Sequence, residues 1–275
     1  MKKFQISTLA LVFLLTGAFA AQAATTVIPQ SALTPSTQYY TDIIGGGIGN
    51  VVVMTGGGNA NGAGSATGRN DDGYSGPISF SFTTPFSFFG TPYTQFWANN
   101  NGNISFTGGI SAYVPTGPTG ANVPIISPFF GDVDTRNAIS GVMRLRTDIA
   151  NEIIVTWDAV GYYDQHADLL NSFQLVVRGP DYAIPVGEGT IGFFYRTMQW
   201  EDTDTSTTAA IGFGDGAGNA EVLQGSNAAG MASVVNNHYI WFDVNLAPIQ
   251  TPEPISLLLV GLGLVGLAGA RRFTR

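Results

Sequence analysis

Asp132 and Asp134 stand two residues apart in the run Phe129-Phe130-Gly131-Asp132-Val133-Asp134-Thr135-Arg136. On a strand that spacing puts both carboxylates on one face, where they could share a hard cation such as calcium. Calcium takes about six to eight oxygens, so further donors would come from Asp71 and Asp72 or from the Glu201-Asp202-Thr203-Asp204 segment. None of these segments has the spaced acidic pattern of an EF-hand. We therefore read a polar strand end in which Arg136 pairs with one aspartate and the other caps a turn. No cofactor is expected on that reading, and calcium at Asp132 and Asp134 is the alternative.

Nucleophilic and acid–base chemistry finds little to work with. A Ser-His-Asp arrangement needs a histidine; there are two, His166 in a turn-like loop and His238 opening a strand, and no G-x-S-x-G elbow accompanies them. Cysteine is absent, which removes thiol nucleophiles and thiolate zinc sites. Acidic residues are numerous enough for glycoside chemistry, yet none of Glu152, Glu188, Glu201 and Glu221 lies in a sequence setting that would raise its pKa. The run Gly212-Phe213-Gly214-Asp215-Gly216-Ala217-Gly218 lacks the lysine and the helix of a phosphate cradle and reads as a glycine-rich hairpin. No catalytic residue is expected, and the chain reads as a non-enzyme.

The elements that would position these residues are strands. Runs of strand composition recur at 77–83, 86–90, 94–99, 103–107, 123–130, 141–147, 152–158, 172–178, 190–200, 208–213 and 238–244, with Gly, Asn and Asp between them. Val51 to Met54 reads as an earlier strand and residues 55–68 as a mobile glycine-rich loop. The pattern predicts an all-β ectodomain, a β-sandwich or jelly-roll-like fold. Asn101-Gly102 predicts a two-residue hairpin turn, which would set Trp97 opposite Phe106 and Asn99 opposite Ile104, with the aromatic pair in the core.

Both ends carry addresses. Lys2 and Lys3 precede an apolar run from Leu9 to Ala20, and Ala21-Gln22-Ala23 offers signal peptidase its two small residues at Ala21 and Ala23, so residues 1–23 read as a cleaved signal peptide. Near the other end Pro252-Glu253-Pro254 precedes the uncharged stretch 255–270 and then Arg271, Arg272 and Arg275. At a helical rise that stretch is roughly 24 Å long, a single transmembrane helix somewhat short for the ~30 Å hydrocarbon core. The arginines at its flank place the tail in the cytoplasm and residues 24–250 outside. The exported segment holds 18 acidic groups and 6 basic ones, all arginine, a net charge of −12. Such a surface repels phosphate backbones, so no nucleic-acid partner is expected.

Pro-Glu-Pro, an apolar helix and an arginine cluster resemble the PEP-CTERM sorting domain of Gram-negative bacteria. The resemblance implies recognition by an exosortase, cleavage near Pro252-Glu253-Pro254, and a transient membrane anchor followed by release or transfer to the cell surface. A second resemblance rests on Asn101-Gly102-Asn103-Ile104-Ser105-Phe106, Pro124 to Arg136, Ile154-Val155-Thr156-Trp157, Asn171 to Val176, Phe194-Tyr195-Arg196 through Gln199-Trp200, and Ala210-Ile211-Gly212-Phe213. In that order they resemble the NIDO domain, an extracellular module of nidogen and alpha-tectorin. The expected organisation is a signal peptide at 1–23, a lead at 24–76, a NIDO-like β domain at 77–246 and the sorting signal at 251–275. The resemblances imply a non-enzymatic surface or extracellular-matrix protein, adhesive or structural, working among exopolysaccharide or other matrix proteins in a biofilm. The alternative is a secreted carbohydrate-binding protein or carbohydrate-active enzyme, with Tyr39, Tyr40, Tyr162 and Tyr163 as exposed rings for sugars.

Overall fold

The computed structural model describes residues 24–58, 62–114, 117–202 and 208–249. Two large sheets face each other. The first runs, neighbour to neighbour, Thr25–Ile28, Ala220–Leu223, Ala210–Gly214, Ile125–Phe130, Asn103–Ser105, Gln95–Asn99, Gly73–Tyr74 and Gly56–Gly57, with Ile78–Ser79 pairing beside Gln95–Asn99. The second runs Thr34–Pro35, His238–Phe242, Ile191–Thr197, His166–Arg178, Glu152–Tyr162, Met143–Arg146 and Asn50–Val51, with Val133–Asp134 pairing beside Glu152–Tyr162. The fold is an all-β sandwich, antiparallel except where Thr25–Ile28 lies parallel to Ala220–Leu223.

Strand alternation builds the interior. Ile153, Val155 and Trp157, Leu175 and Val177, Phe193 and Tyr195, and Ile240 and Phe242 point from the second sheet into the main core, where they meet Phe96, Ala98, Ile104, Ile126, Ile211 and Phe213 of the first. Their neighbours Ile154, Val176, Phe194 and Trp241 point the other way and are buried too, under Tyr40. A sheet covered on both faces reads as near-continuous apolar runs, which is why these strands are so legible in sequence.

The cover is the segment read as a lead. Its short helix Tyr40–Ile44 is capped by Asp42 Oδ2, which accepts from the Tyr39 amide at 2.9 Å. Gln174 Oε1 accepts from the Thr41 amide at 3.2 Å, and its Nε2 donates to Thr41 Oγ1 and Thr156 Oγ1. Residues 24–76 thus supply strands to both sheets. Gly56–Gly57, at the start of the stretch 55–68 expected as a loop, pairs with Gly73–Tyr74 beyond it, and Ala220–Leu223 is a strand the sequence reading did not assign.

The hairpin at Asn101-Gly102 forms with a different register. Asn103 pairs with Asn99, Ile104 with Ala98 and Ser105 with Trp97, leaving three connecting residues of which only Gly102 has positive φ, +75°. A one-residue slip exchanges the faces. Trp97 is therefore only half-buried opposite Ser105, and Phe96 and Phe106 enter the core instead. The slip follows from burial of the tip: Asn99, Asn100, Asn101 and Asn103 are at most 1% exposed, and their amides serve as internal hydrogen-bonding groups. Asn99 Nδ2 donates to Asn103 Oδ1 and Ser105 Oγ, and Trp157 Nε1 donates to the Asn100 carbonyl at 3.0 Å.

Among the described residues no helix is long and apolar enough to cross a membrane; the transmembrane reading of 255–270 lies outside them, as do Ala21, Ala23, Pro252, Glu253, Pro254, Arg271, Arg272 and Arg275.

Candidate functional site

Beside the buried asparagine turn, carboxylates converge from two distant stretches of chain. The first sheet's Ile125–Phe130 strand ends at Gly131-Asp132, and the chain re-enters the second sheet at Val133–Asp134. Residues 70–72 lie against this crossover. The Thr135 amide donates to the Asn70 carbonyl at 3.0 Å, the Asn70 amide donates to Thr135 Oγ1 at 2.8 Å, and Asp71 forms an isolated bridge with Asp134. Asn101 clamps the two segments: its Nδ2 donates to Asp72 Oδ1 at 2.8 Å and its Oδ1 accepts from the Val133 amide at 3.0 Å. Asp72 itself sits at φ +60°, a region aspartate enters more readily than most side chains.

Asp132 and Asp134 do not sit on one continuous strand: Asp132 lies between Ile125–Phe130 and Val133–Asp134. The strand stops at Phe130, so the alternation that would align them is broken at the turn. Asp134 turns to Arg136, whose Nε lies 2.9 and 3.0 Å from its two oxygens, and it also accepts from the Arg136 and Gln165 amides. Arg136 reaches Asp71 at 3.0 Å and the more exposed Asp164 at 2.8 Å as well. The expected pairing of Arg136 with one aspartate is present, and Asp134 is the partner.

Asp132 caps nothing with its side chain. It is 2% exposed, and neither carboxylate oxygen meets a hydrogen-bond donor among the described residues. One ligand oxygen from each of Asp71, Asp72 and Asp132 lies within 4.8 Å of the others. Burial, reinforced by Asp72, Asp71 and Asp134, pushes the Asp132 carboxyl up to about 8. Burial and Asp134 push Asp71 up to about 7 despite Arg136, and burial raises Asp72 against the help of Asn101. Each shift says that negative charge is poorly solvated there.

The other sequence-named groups among the described residues are dispersed, and Asp204 lies outside them. Glu201 accepts from the Gly230 and Ala232 amides at the start of the short helix Met231–Val235, so it serves that helix and not the aspartates. His166 stacks on Tyr162 with ring centroids 4.8 Å apart, and His238 Nδ1 bonds the Asn236 carbonyl. Tyr39 and Tyr40, expected as exposed rings, are 1% and 2% exposed because they cover the second sheet. Glu152, given no special setting by sequence, is fully buried, and that burial raises its pKa; Arg178 Nε beside Oε2 at 2.8 Å counteracts the rise. The glycine-rich run forms the expected hairpin, Ala210–Gly214 antiparallel to Ala220–Leu223.

Comparison with known proteins places this fold. A family model described as NIDO related matches residues 33–247, which takes in nearly all of both sheets. The chain belongs to the NIDO-related family. A second model, the PEP-CTERM protein-sorting motif, matches residues 250–272. Among curated proteins, alpha-tectorin of Gallus gallus is 30% identical over 173 residues, and the alpha-tectorins of Mus musculus and Homo sapiens are 29% and 28% identical over the same length. Each alignment covers 53% of this chain but only 7–8% of the relative, so this NIDO-related chain spans under a tenth of the length of the curated relatives it matches. No solved structure matches it. A NIDO-related domain joined to a PEP-CTERM motif indicates an exported protein of the cell surface or extracellular space, and the motif implies processing by an exosortase.

Proposed function

We propose that this is a non-enzymatic matrix protein, adhesive or structural, that works among the exopolysaccharide or partner proteins of a biofilm after the sorting signal is removed. The observation that carries the reading is the joining, in one chain, of a NIDO-related domain over 33–247 to a sorting motif over 250–272. A covered sandwich with net acidic, lysine-free arginine chemistry suits neutral polysaccharide or protein surfaces better than anionic ones. Signal peptidase and exosortase are its processing partners on this reading, and no nucleic acid is.

The test is a glycan array probed with the exported protein, run beside a hydrolysis assay on the producing cell's own polysaccharide. Retention on matrix glycans or matrix proteins without turnover is the expected result. Release of new reducing ends would overturn the non-enzymatic reading in favour of a carbohydrate-active enzyme.

A further inference from the structure

The geometry points to a calcium site formed by Asp71, Asp72 and Asp132 at the point where the chain crosses from one sheet to the other. The observation that goes beyond a mere acidic cluster is the Asp132 side chain. It is 2% exposed, both oxygens lack donors among the described residues, and it aims at two further carboxylates with ligand oxygens within 4.8 Å. A buried carboxyl is paired, coordinated or kept protonated, and only an ion lets it stay charged without a partner. Here the nearest cation, Arg136, is engaged by Asp134, Asp71 and Asp164.

A second buried oxygen without a donor lies on the adjoining turn. Asn100 donates its amide N–H to the Gly73 carbonyl and its Nδ2 to the Val133 carbonyl, so it is held between the segment that carries Asp72 and the one that carries Asp132. Its Oδ1 is buried and accepts no hydrogen bond among the described residues. The donor set is all oxygen, without histidine or thiolate, which selects a hard divalent ion. Three carboxylates on irregular backbone suit calcium, with water completing its flexible shell, better than the strict octahedron of magnesium. Bound there, the ion would tie residues 71–72 of the first sheet's edge to the crossover into the second sheet, stapling the sandwich at that end. Extracellular calcium modules work at about 10⁻⁴–10⁻³ M, a range that fits an exported protein.

The experiment titrates calcium chloride into the full-length chain in detergent, stripped beforehand with EDTA, by calorimetry and by thermal melting. One ion per chain is expected, with the melting temperature rising by about 5–10 °C at a hundredfold excess over Kd. Asp132→Asn should abolish both the heat and the rise while melting, in EDTA, no lower than the unsubstituted chain, because the amide, like the protonated carboxyl it replaces, places no charge in the buried pocket. Should that variant not fold, Asp72→Asn at the half-buried position reports the same loss. Asp164→Asn, outside the three, should keep calcium binding. No heat and no shift at 10-fold above the millimolar range, tighter magnesium than calcium binding, or a shift that survives in both triad variants would each overturn the site.

Discussion

Arg178→Met should be among the most damaging single substitutions outside the Asp71, Asp72 and Asp132 cluster. Arg178 and Glu152 are both 0% exposed, joined Nε to Oε2 at 2.8 Å. The guanidinium also donates to the Gly189 carbonyl at 2.9 Å and the Tyr40 hydroxyl at 2.6 Å, and lies 4.3 Å from the Trp241 ring centre. Methionine keeps part of the stem's packing, so the loss is mainly electrostatic. Glu188, which is partly exposed, can turn to water, but Glu152 cannot. Stranding a buried partner costs about 3–5 kcal/mol, which for a domain of this size lowers the melting temperature by roughly 10 °C. Burial already raises the Glu152 pKa and Arg178 holds it back, so in the variant it rises further. A carboxyl whose folded pKa lies above its unfolded value destabilises the fold as pH climbs through that window, so the deficit should grow from pH 5 upward. Adding Glu152→Met should restore at least about half of the loss, since an apolar pair can replace a buried ion pair at little cost. Thermal and urea unfolding across pH, arranged as a double-mutant cycle, measures all of this. A deficit under about 1 kcal/mol, or no recovery in the double variant, would refute the reasoning.

Gly102→Ala should cost at least about 3 kcal/mol, because its Cβ would lie 1.8 Å from the Phe129 carbonyl oxygen at φ +75°, whereas Gly90→Ala, at the same φ with nothing within 4 Å, should lose only about 1–2 kcal/mol; urea melts compare the two. In EDTA the folded chain holds protons on Asp132 and Asp71 that the unfolded chain has released, so stability should fall between about pH 4 and pH 8 by up to ~1.4 kcal/mol per unit for each group, and Asp132→Asn should flatten that slope in chemical denaturation. Replacing Pro252, Glu253 and Pro254 with alanine should leave membrane insertion intact and trap the full-length form in the membrane fraction; mass spectrometry of surface protein finding a peptide that ends at Arg275 in the unsubstituted chain would contradict sorting cleavage.

Composition and pattern by themselves determined that this is an all-β chain carrying a sorting motif. Long apolar runs such as those at 152–157 and 191–195 announce strands whatever they pack against, and the need for a left-handed residue at Gly102 announces a turn. Tertiary structure decided what local pattern leaves open. Whether Tyr39 and Tyr40 face sugar or cover Phe194 and Trp241 depends on a sheet more than a hundred residues further along. The register of the Asn99–Asn103 hairpin depends on which buried groups its amides must satisfy, and a shift of one residue exchanges every side chain between core and surface. The acidic site is the clearest case. Sequence offers Asp132 a choice of partners, Asp134 two residues on, Asp71 and Asp72 some sixty residues upstream, or the Glu201 segment; only the folded chain decides that Asp71 and Asp72 gather round it while Glu201 goes to a helix start.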